Sequence, residues 1–200
     1  AQDKTDLSRI QVRTSINGDT AHIEAVIPRD TNGRLDLTIE LPVHLALVVQ
    51  DSSGEAEVSG VRSLQITDSS GELEIFNIKG DVTAQDSSGE LTIKNVGGRV
   101  HITGDSSGDL RIENVGADVL IDQDSSGEIY VAQVGGAVRI GRDSSGSITI
   151  RNVGKSVTID QDGSGGILVE SVQGDLTVNM DGSGGIRYAK VLGKIRLPMR

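Results

Sequence analysis

This sequence predicts an all-β fold: a right-handed parallel β-solenoid of about eight coils of roughly 19 residues, with an N-terminal β-meander cap. Three observations carry that expectation. The phrase Asp-Ser-Ser-Gly, or a close variant, recurs along most of the chain. Within each copy, apolar and polar residues alternate on both sides of a second turn, which is strand spacing. No copy has apolar residues at three-and-four spacing over ten residues, so helix is excluded. The copies begin at Asp51, Asp68, Asp86, Asp105, Asp124, Asp143, Asp162 and Asp181, in steps of 17, 18 and then 19 residues. A fixed period near 20 is the mark of a stacked repeat.

Taken in order, residues 1–50 lack the repeat and read as a cap with a lead-in strand. Ile10, Val12 and Ile16 fall at strand spacing and run into Asn17-Gly18. Asn-Gly is a strong hairpin signal, because both residues tolerate positive φ. A second strand reads through His22–Ile27. A second turn at Asn32-Gly33 leads into a third strand through Leu35, Leu37, Ile39 and Leu41, which Pro42 ends. Leu45 to Val49 then feed the first Asp-Ser-Ser-Gly. The expected division is 1–50 for the meander and lead-in strand and 51–200 for the solenoid, with the meander covering the first coil.

Stacking the copies aligns five apolar columns. One begins Ala56, Leu73, Leu91, Leu110 and Ile129, and a second Val58, Ile75, Ile93, Ile112 and Val131. A third runs from Val61 to Val191 and holds only Val or Ile. The last two run from Leu64 to Ile195 and from Ile66 to Leu197, with only Ala84 small. Each copy therefore supplies two short strands with one buried face. Identical strands joined by tight turns stack beside their equivalents in the next copy, roughly 4.8 Å away. Crossover chirality gives the right hand.

Composition narrows the classes. Phe76, Tyr130 and Tyr188 are the only aromatic residues and Trp is absent, so Val, Ile and Leu fill a narrow core. A formal net charge of −10 argues against nucleic acid or an anionic membrane surface as partner, since both need a basic footprint. Without cysteine there are no disulfides, thiolate metal sites or cysteine nucleophile. No apolar run approaches the roughly 18 residues of a spanning helix. The chain opens Ala1-Gln2-Asp3, as a trimmed secretory precursor or an expression remnant would. The expectation drawn from it is export, to the periplasm or the cell surface. Charge divides sharply near the end: residues 51–180 hold 21 acids and 9 bases, a net of −12, and residues 181–200 hold one acid and five bases, a net of +4. A basic last coil protects a sheet edge or attracts another copy, so the expected state is a monomer or a weak end-to-end oligomer.

Two columns bear on chemistry. The turn Asp row, with Asp86, Asp105, Asp124, Asp143 and Asp162 at its centre, is a candidate carboxylate edge for weak Ca²⁺ binding, backed by Glu55, Glu72, Glu90, Asp109 and Glu128 four residues on. The competing reading is structural: Asp accepts a backbone N–H two residues on, Gly supplies positive φ, and Ser satisfies the remaining turn groups. Recurrence favours the turn role, because every coil needs a turn whereas a site is needed once. No cofactor is expected. The row Asn77, Asn95, Asn114, Gln133 and Asn152 reads as a structural amide ladder, and Gly97, Gly116, Gly135 and Gly154 follow it as turn formers. Catalysis finds little support. His22, His44 and His101 are scattered, and the serines lie in Asp-Ser-Ser-Gly turns rather than a nucleophile elbow. The row Thr83, His101, Leu120, Arg139, Thr158, Thr177, Arg196 is too broken for an ice-binding face.

Ile-Glu-Leu-Pro at 39–42, an extended Leu-Val-Val, and repeated Asp-Ser-Ser-Gly-Glu turns resemble the bacterial adhesin domain family of unknown function. The resemblance covers about residues 35–197. It implies an exported or envelope-associated β-solenoid without known catalytic residues, so none is carried over. The expectation is a non-catalytic surface or envelope binding module whose partner is a surface ligand or envelope protein. A structural subunit assembling through its solenoid ends is the alternative, and a polysaccharide-active enzyme the third reading.

Overall fold

The computed structural model describes residues 11–17, 20–26 and 36–199. The chain divides into two compact units, Ala1–Glu40 and Leu41–Arg200. In the first, Gln11–Asn17 and Thr20–Val26 form an antiparallel pair in which Asn17 faces Thr20. Gly18 of the expected Asn17-Gly18 turn lies outside the described residues, as do Ile10, Ile27, Asn32-Gly33 and Leu35.

The third meander strand is not formed across residues 36–41. Leu37 and Ile39 are each 45 % exposed. Alternation states which face a strand would bury, but it does not supply a neighbouring strand, and among the described residues no β-ladder includes this stretch. The boundary also moves. The lead-in strand Ala46–Gln50 pairs in parallel with Ser63–Thr67, matching Leu47 to Leu64 and Val49 to Ile66. It therefore belongs to the solenoid as half a coil, with Leu45 N–H donating to Pro42 O at the turn before it.

From there the described residues contain strands and turns without any helix. Each coil makes two strands, such as Leu110–Val115 and Val119–Asp124. The first strands of successive coils form an eight-stranded parallel sheet and the second strands, with the lead-in strand, a nine-stranded one. Pairing is like with like: Leu110 lies between Leu91 and Ile129, and Ile121 between Ile102 and Ile140. A parallel ladder needs a long crossover between neighbours. Here the crossover is the other strand of the same coil with its two turns.

The five apolar columns point inward and form one continuous core. In the coil that starts at Asp105, all five members (Leu110, Ile112, Val115, Val119 and Ile121) are 2 % exposed or less. Each such side chain contributes about 1.5–3 kcal/mol before ordering entropy is charged against it. The core leaves room for branched aliphatics and little else, which accounts for the scarcity of aromatics.

The second turn of each coil is built differently from the expectation. Asn77, Asn95, Asn114, Gln133 and Asn152 all have φ between 56° and 59°, the left-handed region that Asn tolerates better than most non-glycine residues. The same side chains do form a ladder: Asn114 Nδ2 donates to Asn95 Oδ1 at 3.0 Å, and Asn95 Nδ2 to Asn77 Oδ1 at 3.2 Å. Gly116 is needed for another reason, since a Cβ there would overlap the carbonyl oxygen of Gly97 in the coil before.

Candidate functional site

The Asp-Ser-Ser-Gly corner closes the end of each second strand. Its Asp stays in register from coil to coil, with Asp124 opposite Asp143, Asp143 opposite Asp162, and bridges joining Asp105 to Asp124 and Asp162 to Asp181. The carboxylates therefore form a column at coil spacing, roughly 4.8 Å per step. The burial pattern along Val119–Asp124 places Val119, Ile121 and Asp124 in the interior, the alternation breaking at Asp122 and Gln123, which are both exposed.

Local hydrogen bonding holds the Asp inward. Asp86, Asp105 and Asp143 each accept the N–H of the second Ser on Oδ1, from Ser88 at 3.2 Å, Ser107 at 3.3 Å and Ser145 at 3.2 Å. Asp68 Oδ1 accepts from Ser69 N–H at 2.7 Å. The second Ser turns its hydroxyl to the preceding coil and donates to the first Ser's carbonyl there, as Ser126 does to Ser106 at 3.2 Å and Ser145 to Ser125 at 3.2 Å. Thus the second serines of these turns spend their hydroxyls on the backbone.

The row expected as a cation edge has a different direction in the fold. Asp86, Asp105, Asp124, Asp143 and Asp162 do come together in one row, but that row faces inward, and all five, with Asp68, are 2 % exposed or less. The Asx bond explains the direction, because the oxygen must face the N–H groups that line the inside of the corner. The flanking acids Glu90, Asp109 and Glu128 are exposed, so the two rows do not converge. Among the described residues no cluster of three or more His, Asp or Glu side chains has the geometry to hold a metal ion.

The column's electrostatics are unusual. Oδ2 of Asp68, Asp86, Asp105 and Asp143 has no N–H or O–H donor, and at Asp124 and Asp162 neither oxygen has one. Burial, then the charge of Asp86, pushes the Asp105 carboxyl up to about 6. Burial followed by the charges of Asp105 and Asp143 pushes Asp124 up to about 7. Asp162 rises to about 7 through burial and the charges of Asp143 and Asp181. Asp86 and Asp143 are also raised, mainly by burial. Desolvation and like charge act together here, and both favour the protonated form.

Compared with family models, curated proteins and solved structures, the chain matches none.

The outer faces present a second set of side chains. All three aromatic residues sit in strands of the eight-stranded sheet, Phe76 in Leu73–Ile78, Tyr130 in Ile129–Val134 and Tyr188 in Gly184–Val191, but Tyr188 pairs with the buried Val169 and so stands in an inward column of the last coil. Phe76 and Tyr130 are half-buried on its outer side. Arg111, directly opposite Tyr130, holds its guanidinium carbon 4.4 Å from the ring centre. Glu113 fixes that guanidinium with two bonds, Arg111 Nη2 donating at 2.7 Å and Nε at 3.2 Å. Ring, cation and carboxylate form a preorganised surface group.

On the nine-stranded sheet, His101 Nε2 lies 2.8 Å from Asp122 Oδ2, and Arg139 Nη2 lies 2.7 Å from Asp160 Oδ2. Both pairs are separated by 21 residues, one coil plus two positions. Reading the sequence one column at a time passes over them, since a diagonal pair crosses two columns. Glu55, Glu57, Glu72 and Glu74 line a shallow hollow on the first two coils.

Proposed function

We propose that this chain is a non-catalytic β-solenoid of the bacterial cell envelope or exterior, acting as a binding module through the outer face of its eight-stranded sheet. The observation that carries the reading is the placing of Phe76 and Tyr130 on the outer face of that one sheet, with Tyr130 already braced by Arg111 and Glu113. Half-buried aromatics on a rigid sheet give contact area at low entropic cost, and Arg beside Tyr is a combination enriched where surfaces bind. Phe76 and Tyr130 stand three coils apart, roughly 14 Å at coil spacing, so an extended ligand is suited to reach both. The resemblance to the bacterial adhesin domain family supports the same reading. The non-catalytic part rests on the Asp-Ser-Ser-Gly turns, whose second-serine hydroxyls are bonded to the backbone and whose carboxylates are buried.

The test uses soluble bacterial surface polysaccharides and purified cell-wall sacculi as probes, with binding followed by co-sedimentation and calorimetry. Wild type is expected to bind at least one probe, and Tyr130→Ala and Phe76→Ala to weaken that binding about tenfold while leaving the circular dichroism spectrum unchanged. Binding that survives both substitutions overturns the assignment of the face.

A second reading, end-to-end assembly of copies, is favoured by charge. Residues 181–200 carry a net of +4 against −12 for residues 51–180. Arg187, Lys190, Lys194 and Arg196 are exposed in that last stretch, although Arg196 pairs with Asp175 at 3.5 Å. Head-to-tail contacts of this kind lengthen into filaments. Sedimentation at low salt is expected to show mass rising with concentration and falling back in high salt. A constant monomer mass at low salt ends that reading.

A further inference from the structure

The Asp column has no role in the surface just described, yet it is the most costly polar feature of the molecule. Six successive coils, from Asp68 to Asp162, each place a carboxyl group in the interior at 2 % exposure or less. All six retain at least one oxygen without an N–H or O–H donor, and Asp124 and Asp162 retain two. An ionised carboxylate in such a place needs a cation or several donors. The groups that face it supply no cation, and the Ser N–H bonds reach Oδ1 and leave Oδ2 without a donor.

The neighbours come from three elements. From the strand that each Asp ends, the preceding residues Gln85, Gln123 and Arg142 are exposed and lie on the opposite side of the strand. From the corner that follows, Ser N–H groups reach Oδ1, and the acids four residues on, Glu90, Asp109 and Glu128, face solvent. From the coils above and below, the facing groups are the next Asp carboxyls: Asp105 and Asp143 at Asp124, and Asp143 and Asp181 at Asp162. Each carboxyl therefore looks at two more carboxyls and at apolar side chains of the core. Beyond the Ser N–H groups of its own corner, the group placed to donate to an orphan oxygen is a carboxylic acid of the adjacent coil.

We propose that the buried Asp column is a proton-sharing ladder, in which carboxyl groups of successive coils hold hydrogens between them, so that pH governs how firmly the coils stay stacked. A carboxylic acid on one coil donates its O–H to a carboxylate oxygen on the next. One shared proton then removes a like-charge contact and satisfies an orphan acceptor in the same step. Such O–H···O⁻ bonds are short, about 2.5–2.7 Å, and side chains on coils roughly 4.8 Å apart reach that separation by leaning toward each other in pairs. The upward displacement of Asp105, Asp124 and Asp162 agrees with this arrangement. On loss of a shared proton to water, two adjacent buried carboxylates are left facing each other. The column then repels along its own length, directly across the stacking contacts.

Two properties follow. The folded chain carries less negative charge at neutral pH than the formal −10, which counts every Asp as ionised. Unfolding releases the held protons, because an unfolded Asp is ionised well below neutrality. Unfolding the full chain in urea in weakly buffered solution at pH 6 is expected to release about two protons per molecule, and the urea midpoint is expected to fall between pH 5 and pH 8.5. The double substitution Asp124→Asn with Asp162→Asn keeps the Oδ1 acceptor and puts an amide donor where the proton stood. It is expected to reduce the release to below one proton and to raise the midpoint at pH 8.5 toward the pH 5 value.

Absence of proton release from wild type overturns the proposal, and that measurement needs no variant to fold. A double variant that folds but leaves both the release and the pH dependence of the midpoint unchanged also overturns it, leaving the Asp residues as turn formers alone. Millimolar CaCl₂ added to chelator-treated native protein at pH 7 separates the remaining possibility. Protons expelled by the metal, with a rise in the midpoint, would mean that the column is a cation file, and would equally overturn the ladder.

Discussion

Three glycine-to-alanine substitutions measure coil stacking directly, because the structure gives each a different pair of penalties. Gly108, at the fourth Asp-Ser-Ser-Gly corner, has φ +124°, and a Cβ there would overlap the carbonyl oxygen of Gly89 in the coil before. Gly54, at the first such corner, has φ +108° but nothing within 4 Å of its Cβ position. Gly166 has neither a positive φ nor a neighbour within 4 Å. Gly54→Ala therefore carries only backbone strain, about 1–2 kcal/mol. Gly166→Ala carries none and gains a few tenths of a kcal/mol through the unfolded state. Gly108→Ala carries the strain and must also open the coils. The bonds lost at that corner are Gly89 N–H to Ser107 O at 3.0 Å, Leu91 N–H to Asp109 O at 3.0 Å, and Ser107 Oγ–H to Ser87 O at 3.5 Å. At about 1 kcal/mol each these add about 3 kcal/mol, for a total of about 4–5 kcal/mol. Urea unfolding followed by far-ultraviolet circular dichroism gives the stabilities, and amide exchange around residues 89–110 localises the damage, since a solenoid opens locally as well as globally. If Gly108→Ala lies within about 1 kcal/mol of Gly54→Ala, the successive coils are not in van der Waals contact at this corner and the stacking argument fails.

Three further outcomes are expected. Ile112→Ala, at a side chain with no exposure, is expected to cost about 2–5 kcal/mol by urea unfolding, whereas Val48→Ala, at 69 % exposure, stays within about 0.5 kcal/mol of wild type; similar losses at both positions would contradict the inward–outward assignment. At Asn114, φ 57°, Gly loses only the amide bond to Asn95, while Ala also meets the left-handed strain and is expected to be about 1 kcal/mol less stable than Gly; thermal melts giving equal values would remove the conformational role. The third concerns pH. An Asp whose folded value lies above its unfolded value binds an extra proton in the native state, so its contribution is fully present below about pH 4 and lost as pH rises through about 7 for Asp124 and Asp162; a urea midpoint that climbs from pH 5 to pH 8.5 would show the opposite sign.

The solenoid was legible because its signal is repeated eight times. One copy of Leu110, Ile112, Val119 and Ile121 is a short pattern of uncertain meaning, but eight in phase admit one packing. Direction within the turn was far less legible. Asp at a corner is equally compatible with an outward edge and an inward column, and the difference depends on which side of the corner the Ser N–H groups line. The same limit applies at Asn114 and Gly116. A repeated Asn-x-Gly identifies a corner, whereas the assignment of positive φ to Asn and close approach to Gly depends on where the preceding coil's carbonyl lies. For residues 36–41 the alternation was real, but a strand is made by its partner, and the sequence of one strand does not contain its neighbour. The pairs His101–Asp122 and Arg139–Asp160 were hidden for a related reason, since they become neighbours only after one coil is laid on another.

The unequal coil lengths at the start have a consequence for assembly errors. From Asp86 onward every coil is 19 residues long and pairs like with like, so a copy that docked one coil too far along would meet the same apolar columns and lose little. Near-identical neighbours make a shallow choice between correct and shifted stacks, a form of frustration. The first two steps, of 17 and 18 residues, break that degeneracy. The register shift between Ala84 and Gln85 lies where the shorter coil meets the regular series. A shifted stack would have to seat a 19-residue coil on a 17-residue one, leaving surplus backbone without partners. These irregular coils act as an index mark from which the rest of the stack is counted.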